Sequence, residues 1–168
     1  MVAQSPTVEQ SQVLIWHKEY ERKTMTDNDY LYEFRFRRHR RSFAHEGTSI
    51  IGPAYAGAFL KRICKNDDRE RFYAIYLDVR GKVIGYECVA VGHMAGVEVH
   101  PREVFRGAIL AGAHSIILGH NHPSGDPEPS QEDRQLTKRL EAAGELIGII
   151  VIDHIVVTDT ESRSCNAD

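Results

Sequence analysis

The spacing of apolar and polar residues changes period several times along the chain, and each change predicts an element. In "YLYEFRFRRHRR" (residues 30–41), Tyr32, Phe34 and Phe36 alternate with Glu33, Arg35 and Arg37. A period of two is that of a half-buried strand, so a basic strand is expected over 30–41. Before it, "VLIWHKEYERK" reads as a short helix, and the polar, aperiodic residues 1–12 are expected to be disordered. "GPAYAGAFLKRIC" places Pro53 at the first turn of a helix with Ala, Phe and Leu to bury. "RFYAIYLDV" and "VIGYECVAVG" are rich in aromatic and branched residues and flank "RGK", which predicts a hairpin.

"HPREVFRGAILAGA" returns to a helical period, with Pro101 at its start and Val104, Phe105, Ala108 and Ile109 on one side. "SIIL" is short and wholly apolar, as a strand covered on both faces would be, and it runs directly into His120. Ser130 opens the next helix, with Asp133 three residues on as in a capping box and a stripe of Leu136, Leu140, Ala143 and Ile147. "GIIVIDHIVV" is the last predicted strand. Strands and helices alternate, which predicts an α/β fold, a mixed sheet flanked by helices. No internal repeat interrupts the series.

Length and charge narrow this picture. A chain of 168 residues, 42% hydrophobic and 27% charged, is expected to form one soluble domain with a core. A net charge of −3 argues against coating nucleic acid through the overall field. No apolar run approaches the ~20 residues that span a bilayer, so no membrane partner is expected. "MVAQSPTVEQSQ" shows no basic region followed by an apolar one, so no export signal is visible. Cys64, Cys88 and Cys165 are widely spaced and odd in number, which fits inert thiols in a reducing cytoplasm. Cys88 is most simply a small core residue.

The chemistry concentrates in "HNHPSGDPEPSQED", residues 120–133. Residues i and i+2 of an extended segment project to the same side, so His120 and His122 can aim at one point. Pro123, Pro127 and Pro129 stiffen the loop, and Gly125 lets it turn. Asp133 sits in the first turn of a helix, where the dipole favours an ionised carboxylate. Two imidazoles and a carboxylate are three ligands with an open position, as in catalytic zinc sites. Two histidines and a carboxylate also suit non-haem iron, so spacing leaves the metal open.

H-x-H, seven residues, Ser, two residues, Asp is filled by His120, His122, Ser130 and Asp133. This set resembles the signature of the JAMM (MPN+ or JAB) metallopeptidases. The fuller string, with "HPREVF" at 100–105 and "DHIVV" at 153–157, resembles the RadC branch over roughly residues 48–157. The resemblance implies a zinc-bearing JAB/MPN fold of the cytidine-deaminase-like type over 46–168, preceded by an extension over 1–45. It implies that His120, His122 and Asp133 hold Zn²⁺ and that Ser130 hydrogen-bonds a developing oxyanion. It also implies a glutamate base near the start of an upstream strand, and "RERFYAIYLD" offers Glu70 in the matching place. Glu103 is the competitor, but its helix position favours pairing with a base or facing solvent.

The activity so implied is hydrolysis of peptide or isopeptide bonds, with a protein or peptide substrate. A second reading is a DNA- or protein-binding module associated with DNA repair, its metal structural or vestigial. A third is a nuclease or deaminase using the same metal and water. The second draws on Arg35, Arg37, Arg38, Arg40 and Arg41, which beside Phe34 and Phe36 can grip phosphates and stack bases in a local, salt-sensitive nucleic-acid contact. The plainer expectation for that run is one solvated strand face. His100 and His154 can support the site from outside the ligand set, although His154 equally fits a core histidine. Two departures from the resembled family stand out. Residues 1–45 lack the glycine hairpins of a helix-hairpin-helix module, and "TDTESRSCNAD" lacks the aromatic and glycine that close the domain. The edge of the last strand is therefore expected to be exposed and able to pair with a second copy as a homodimer.

Overall fold

The structure is a computed structural model that describes residues 19–26, 29–35, 49–64, 68–92 and 99–166. Its elements run β1 (Glu19–Thr26), β2 (Asp29–Arg35), α1 (Pro53–Ile63), β3 (Arg71–Leu77), β4 (Val83–Val91), α2 (Pro101–Ala111), β5 (Ser115–Asn121), α3 (Gln131–Ile147), β6 (Ile150–Val157) and β7 (Ser162–Ser164). β1 and β2 pair antiparallel as a separate two-stranded sheet. The remaining strands form a five-stranded sheet in the order β4-β3-β5-β6-β7. The β5–β6 pair is parallel and the others are antiparallel. The expected mixed α/β architecture is the one observed.

Helices cover both faces of this sheet, and strand alternation sorts the side chains between two cores. Ala56, Phe59 and Leu60 of α1 bury Tyr73, Ile75 and Leu77 of β3 together with Ile117, Ile155 and Val157. On the other face Val104, Phe105 and Ala108 of α2 and Leu140 of α3 bury Phe72, Ala74, Tyr76, Ile116 and Leu118. β5 lies in the middle with every residue buried. That explains the apolar run Ile116, Ile117 and Leu118: neither face meets water. The same strand continues into His120 and Asn121, so polar groups are carried into a dry environment at its carboxyl end.

Local signals set the helix ends. Pro53 and Pro101 open α1 and α2, where a missing N–H has no cost. Ser130 caps α3 in a capping box with Asp133. The predicted stripe of α3 holds at Leu140, with Leu136 and Ala143 packed against the same core. It fails at Ile147, which is exposed. Gly144 takes the inward place one turn earlier, where a Cβ would meet the Ile149 carbonyl oxygen at 2.5 Å.

Three sequence expectations are corrected. The helix expected over 13–23 gives way, at Glu19–Lys23, to strand β1, because β2 offers a full antiparallel partner and an isolated helix of that length is marginal. The edge of β6 is not wholly bare: β7, unread in the sequence, covers Ile155–Val157. Three residues without apolar alternation give no strand signal; the neighbouring edge selects them. His100 does not join the site. It caps α2, and its Nδ1 accepts from the Arg102 N–H at 3.2 Å. Of the basic run, the described residues include only the backbone of Arg35, in β2. Arg37, Arg38, Arg40 and Arg41 lie outside them, as do residues 1–18. Among the described residues no helix is long and apolar enough to cross a membrane.

Gly119 in β5 lies against Leu60 of α1, and a Cβ there would overlap the Leu60 side chain. Gly119→Ala is expected to cost about 1–3 kcal/mol in urea unfolding. The loss should combine with Leu60→Ala less than additively, because the smaller side chain removes the overlap.

Candidate metal centre

Three elements build the site. β5 carries His120 one residue before its end, its ring only 1% exposed and stacked on Phe72 at 6.1 Å between centroids. His122 follows on the same side and is 18% exposed. Asp133 enters from the first turn of α3. Their ligand atoms lie within 4.8 Å of one another, and among the described residues they form a group able to hold a metal ion.

The donor set fits a cation. His122 Nδ1 lies 2.8 Å from the carbonyl oxygen of Asp126. A carbonyl only accepts, so Nδ1 carries the hydrogen and a neutral His122 presents a lone pair at Nε2. That Nε2 is 3.0 Å from His120 Nε2. His120 Nε2 in turn is 3.2 Å from Asp133 Oδ1, and His122 Nε2 is 3.8 Å from Oδ2. Ligands held at about 2.0–2.1 Å on a tetrahedral ion stand roughly 3.3 Å apart. The three contacts bracket that edge.

Asp133 is held ionised. Burial would raise its pKa, but His120 when its ring carries a proton on Nε2, and hydrogen bonds from the Ser130 side chain and backbone, hold it well below the usual carboxylate range. Ser130 Oγ donates to Asp133 Oδ2 at 2.6 Å, and Ser130 N–H donates to the same oxygen at 2.8 Å. Asp133 N–H returns a bond to Ser130 Oγ at 3.1 Å. Ser130 thus stands beside the cluster with its hydrogen directed at Asp133 and not at open space. The intervening loop is fixed by Gly125 at φ +83, a left-handed turn that glycine adopts readily. Glu128 ties the loop to Arg134 and to Arg163.

Glu70 lies immediately before β3 and is partly buried. The antiparallel register places Phe72 opposite His120, so continuing the pairing brings Glu70 level with His122. Asn121, the spacer between the histidines, makes this junction. Its Oδ1 accepts from Arg71 N–H at 2.8 Å and its Nδ2 donates to the Arg69 carbonyl at 3.0 Å. The backbone on either side of Glu70 is therefore clamped to the strand that carries the histidines. Glu70 itself is outside the ligand group. Glu103 pairs with Arg102 and Arg106 on α2.

Sequence reasoning passed over Asn121 and Thr137. Asn121 sits inside a motif whose middle residue carries no signal of its own. Thr137 had one usable sign: it lies one turn after Asp133, on the same helix face. Its Oγ donates to the Asp133 carbonyl at 2.7 Å and meets His154 Nδ1 at 2.6 Å. His154 Nε2 contacts His120 Nδ1 at 2.8 Å. Burial, aided by His120, opposed by Asp133 and aided again by His122, pushes His154 well below its ordinary pKa. His122 also lines a cleft of about 880 Å³ with Lys61, Cys64, Asp68, Asn121 and Thr158.

Comparison with known proteins agrees with this frame. The family model described as a RadC-like JAB domain matches residues 50–168. The chain is similar to a UPF0758 protein of Symbiobacterium thermophilum, 56% identical over 88 residues, 52% of this chain and 38% of that protein. It is also similar to a UPF0758 protein of Desulforudis audaxviator, 45% identical over 116 residues, 69% of this chain and 50% of the relative. A third, from Xanthomonas euvesicatoria, is 41% identical over 122 residues, 73% of this chain and 54% of the relative. The chain thus spans about half the length, or less, of the curated relatives it matches.

Burial, followed by the nearby Asp133, pushes the Cys165 thiol up to about 12. Cys165 also lies outside the ligand group of His120, His122 and Asp133, so it is expected to stay off the metal. Cobalt-loaded protein should show no sulfur-to-cobalt charge-transfer band. Iodoacetamide should label Cys165 only after unfolding, as read by peptide mass spectrometry.

Proposed function

The chain belongs to the RadC-like JAB domain family, and from that premise and the geometry of its ligand cluster we propose that it is a zinc-dependent hydrolase of peptide or isopeptide bonds. The observation that carries this reading is the convergence of His120 Nε2, His122 Nε2 and an Asp133 carboxylate oxygen, with His122 lining a cleft. Three protein ligands and an accessible side are what a catalytic site keeps and what a structural zinc site closes. The bound metal would supply a water of lowered pKa and a Lewis acid for the scissile carbonyl.

The chain's own residues then divide the remaining work. His120 and His122 donate neutral nitrogen, and Asp133 contributes the negative charge that favours a divalent ion over a proton. Glu70, clamped beside the histidines through Asn121, is the proposed general base: it takes a proton from the attacking water and returns it to the leaving nitrogen. Ser130 holds Asp133 in the resting arrangement. To steady a tetrahedral oxygen its hydroxyl must turn from Asp133 to the substrate. The substrate is a protein or peptide chain laid in the cleft. Phe72, fully packed against the rings of His120 and His154, excludes water from behind the ligands and strengthens every charge interaction in front.

Glu70→Gln should retain one equivalent of zinc in elemental analysis while hydrolysis of a peptide library falls by about 10²–10⁴. Wild-type turnover in that variant removes Glu70 from the mechanism. His122→Ala should lose the zinc. A full equivalent retained by it, or library cleavage by the unaltered chain that a chelator does not stop, overturns the metal-dependent reading.

A further inference from the structure

The buried bonds behind His120 follow one direction when the Thr137 hydroxyl is the donor to the Asp133 carbonyl. A threonine hydroxyl has one hydrogen, and a main-chain carbonyl can only accept. The Asp133 carbonyl, 2.7 Å from Thr137 Oγ, takes that hydrogen in this direction. The contact of 2.6 Å between Thr137 Oγ and His154 Nδ1 then requires the hydrogen to sit on Nδ1. His154 is completely buried, and in its neutral form a ring with hydrogen on Nδ1 has a lone pair on Nε2. That lone pair faces His120 Nδ1 at 2.8 Å, so His120 Nδ1 must be the donor. The consequence appears at the far side of the His120 ring: Nε2 has no hydrogen and presents its lone pair toward His122 and Asp133.

We propose that Thr137 is a positioning residue that, through His154, fixes His120 in the tautomer that binds the metal. The inference rests on the metal-centre reading above. It also assigns the single chain Thr137–His154–His120 a structural logic: α3 supplies Asp133 directly and, one turn later, the hydroxyl that orients the ligand on β5. His122 needs no such relay, because the Asp126 carbonyl fixes its tautomer directly. Without the Thr137 hydroxyl, His154 is free to carry its hydrogen on Nε2. His120 would then accept at Nδ1 and turn a hydrogen toward the metal position. Indirect partners of this kind are worth about 10–100-fold in metal affinity.

The test uses the full chain, Zn²⁺ with a competing chromophoric chelator, and long-range ¹H–¹⁵N imidazole spectra. Thr137→Val keeps the shape and removes the hydroxyl, and is expected to weaken zinc binding by about 10–100-fold. Thr137→Ser keeps the hydroxyl and should bind within about twofold of the unaltered chain, which a purely packing role would not predict. Spectra of the metal-free chain should show His154 protonated at Nδ1, a readout that requires no variant to fold. His154 protonated at Nε2, zinc affinity unchanged in Thr137→Val, or equal losses in Val and Ser each overturn the inference while leaving the metal centre standing. Failure of the unaltered chain to bind zinc overturns the metal-centre reading and this inference with it.

Discussion

Two imidazole nitrogens and a carboxylate converge at the carboxyl end of β5, and their lone pairs together make a negative site that a cation would relieve. His120 Nε2 and His122 Nε2 are 3.0 Å apart, and each ring has its other nitrogen engaged elsewhere. Water is kept from the back of the cluster, where His120 is buried against Phe72. The cost of holding such donors together is met by the surrounding fold, and a divalent cation bound there would return it.

The sheet makes that convergence possible. β5 is buried on both faces between α1 and the α2/α3 layer, so its path is fixed by packing on either side. A strand this constrained delivers the histidines at its carboxyl end with little freedom. The parallel β5–β6 pair needs a crossover, and α3 is that connection. Its first turn therefore starts close to the end of β5, which brings Asp133 to the histidines. Strand order also brings His154 of β6 beside His120, on the face that α3 covers through Thr137. One crossover unit thus supplies the ligands, the cap on the carboxylate and the hydrogen-bond chain behind the rings.

The front of the site is set by a different junction. β3 pairs with β5 on the other side, and Asn121 extends that pairing with a side chain where the backbone ladder ends. The carboxamide both accepts and donates, so it can bind an N–H and a carbonyl two residues apart. An aspartate in its place would lose the donor. Glu70 is held between these two anchors, level with His122 in the pairing register and outside the ligand group.

Periodicity along the chain determined the helices at Pro53 and Pro101, the hairpin around "RGK", the buried strand before His120 and the cap at Ser130, because each follows from the local fit of side chains to one repeat. The candidate trio was legible as well, because His120 and His122 stand two residues apart at the carboxyl end of β5 and just beyond it, and Asp133 lies in the first turn of the next helix. Tertiary packing alone decided the rest. Glu19–Lys23 became a strand because β2 lay alongside, and Ser162–Ser164 became one because β6 offered an edge. Thr137, Asn121 and His154 acquired their roles from neighbours 17 to 52 residues away in sequence. Hydrogen-bond direction across such distances depends on which strands adjoin, and no local pattern of residues encodes that.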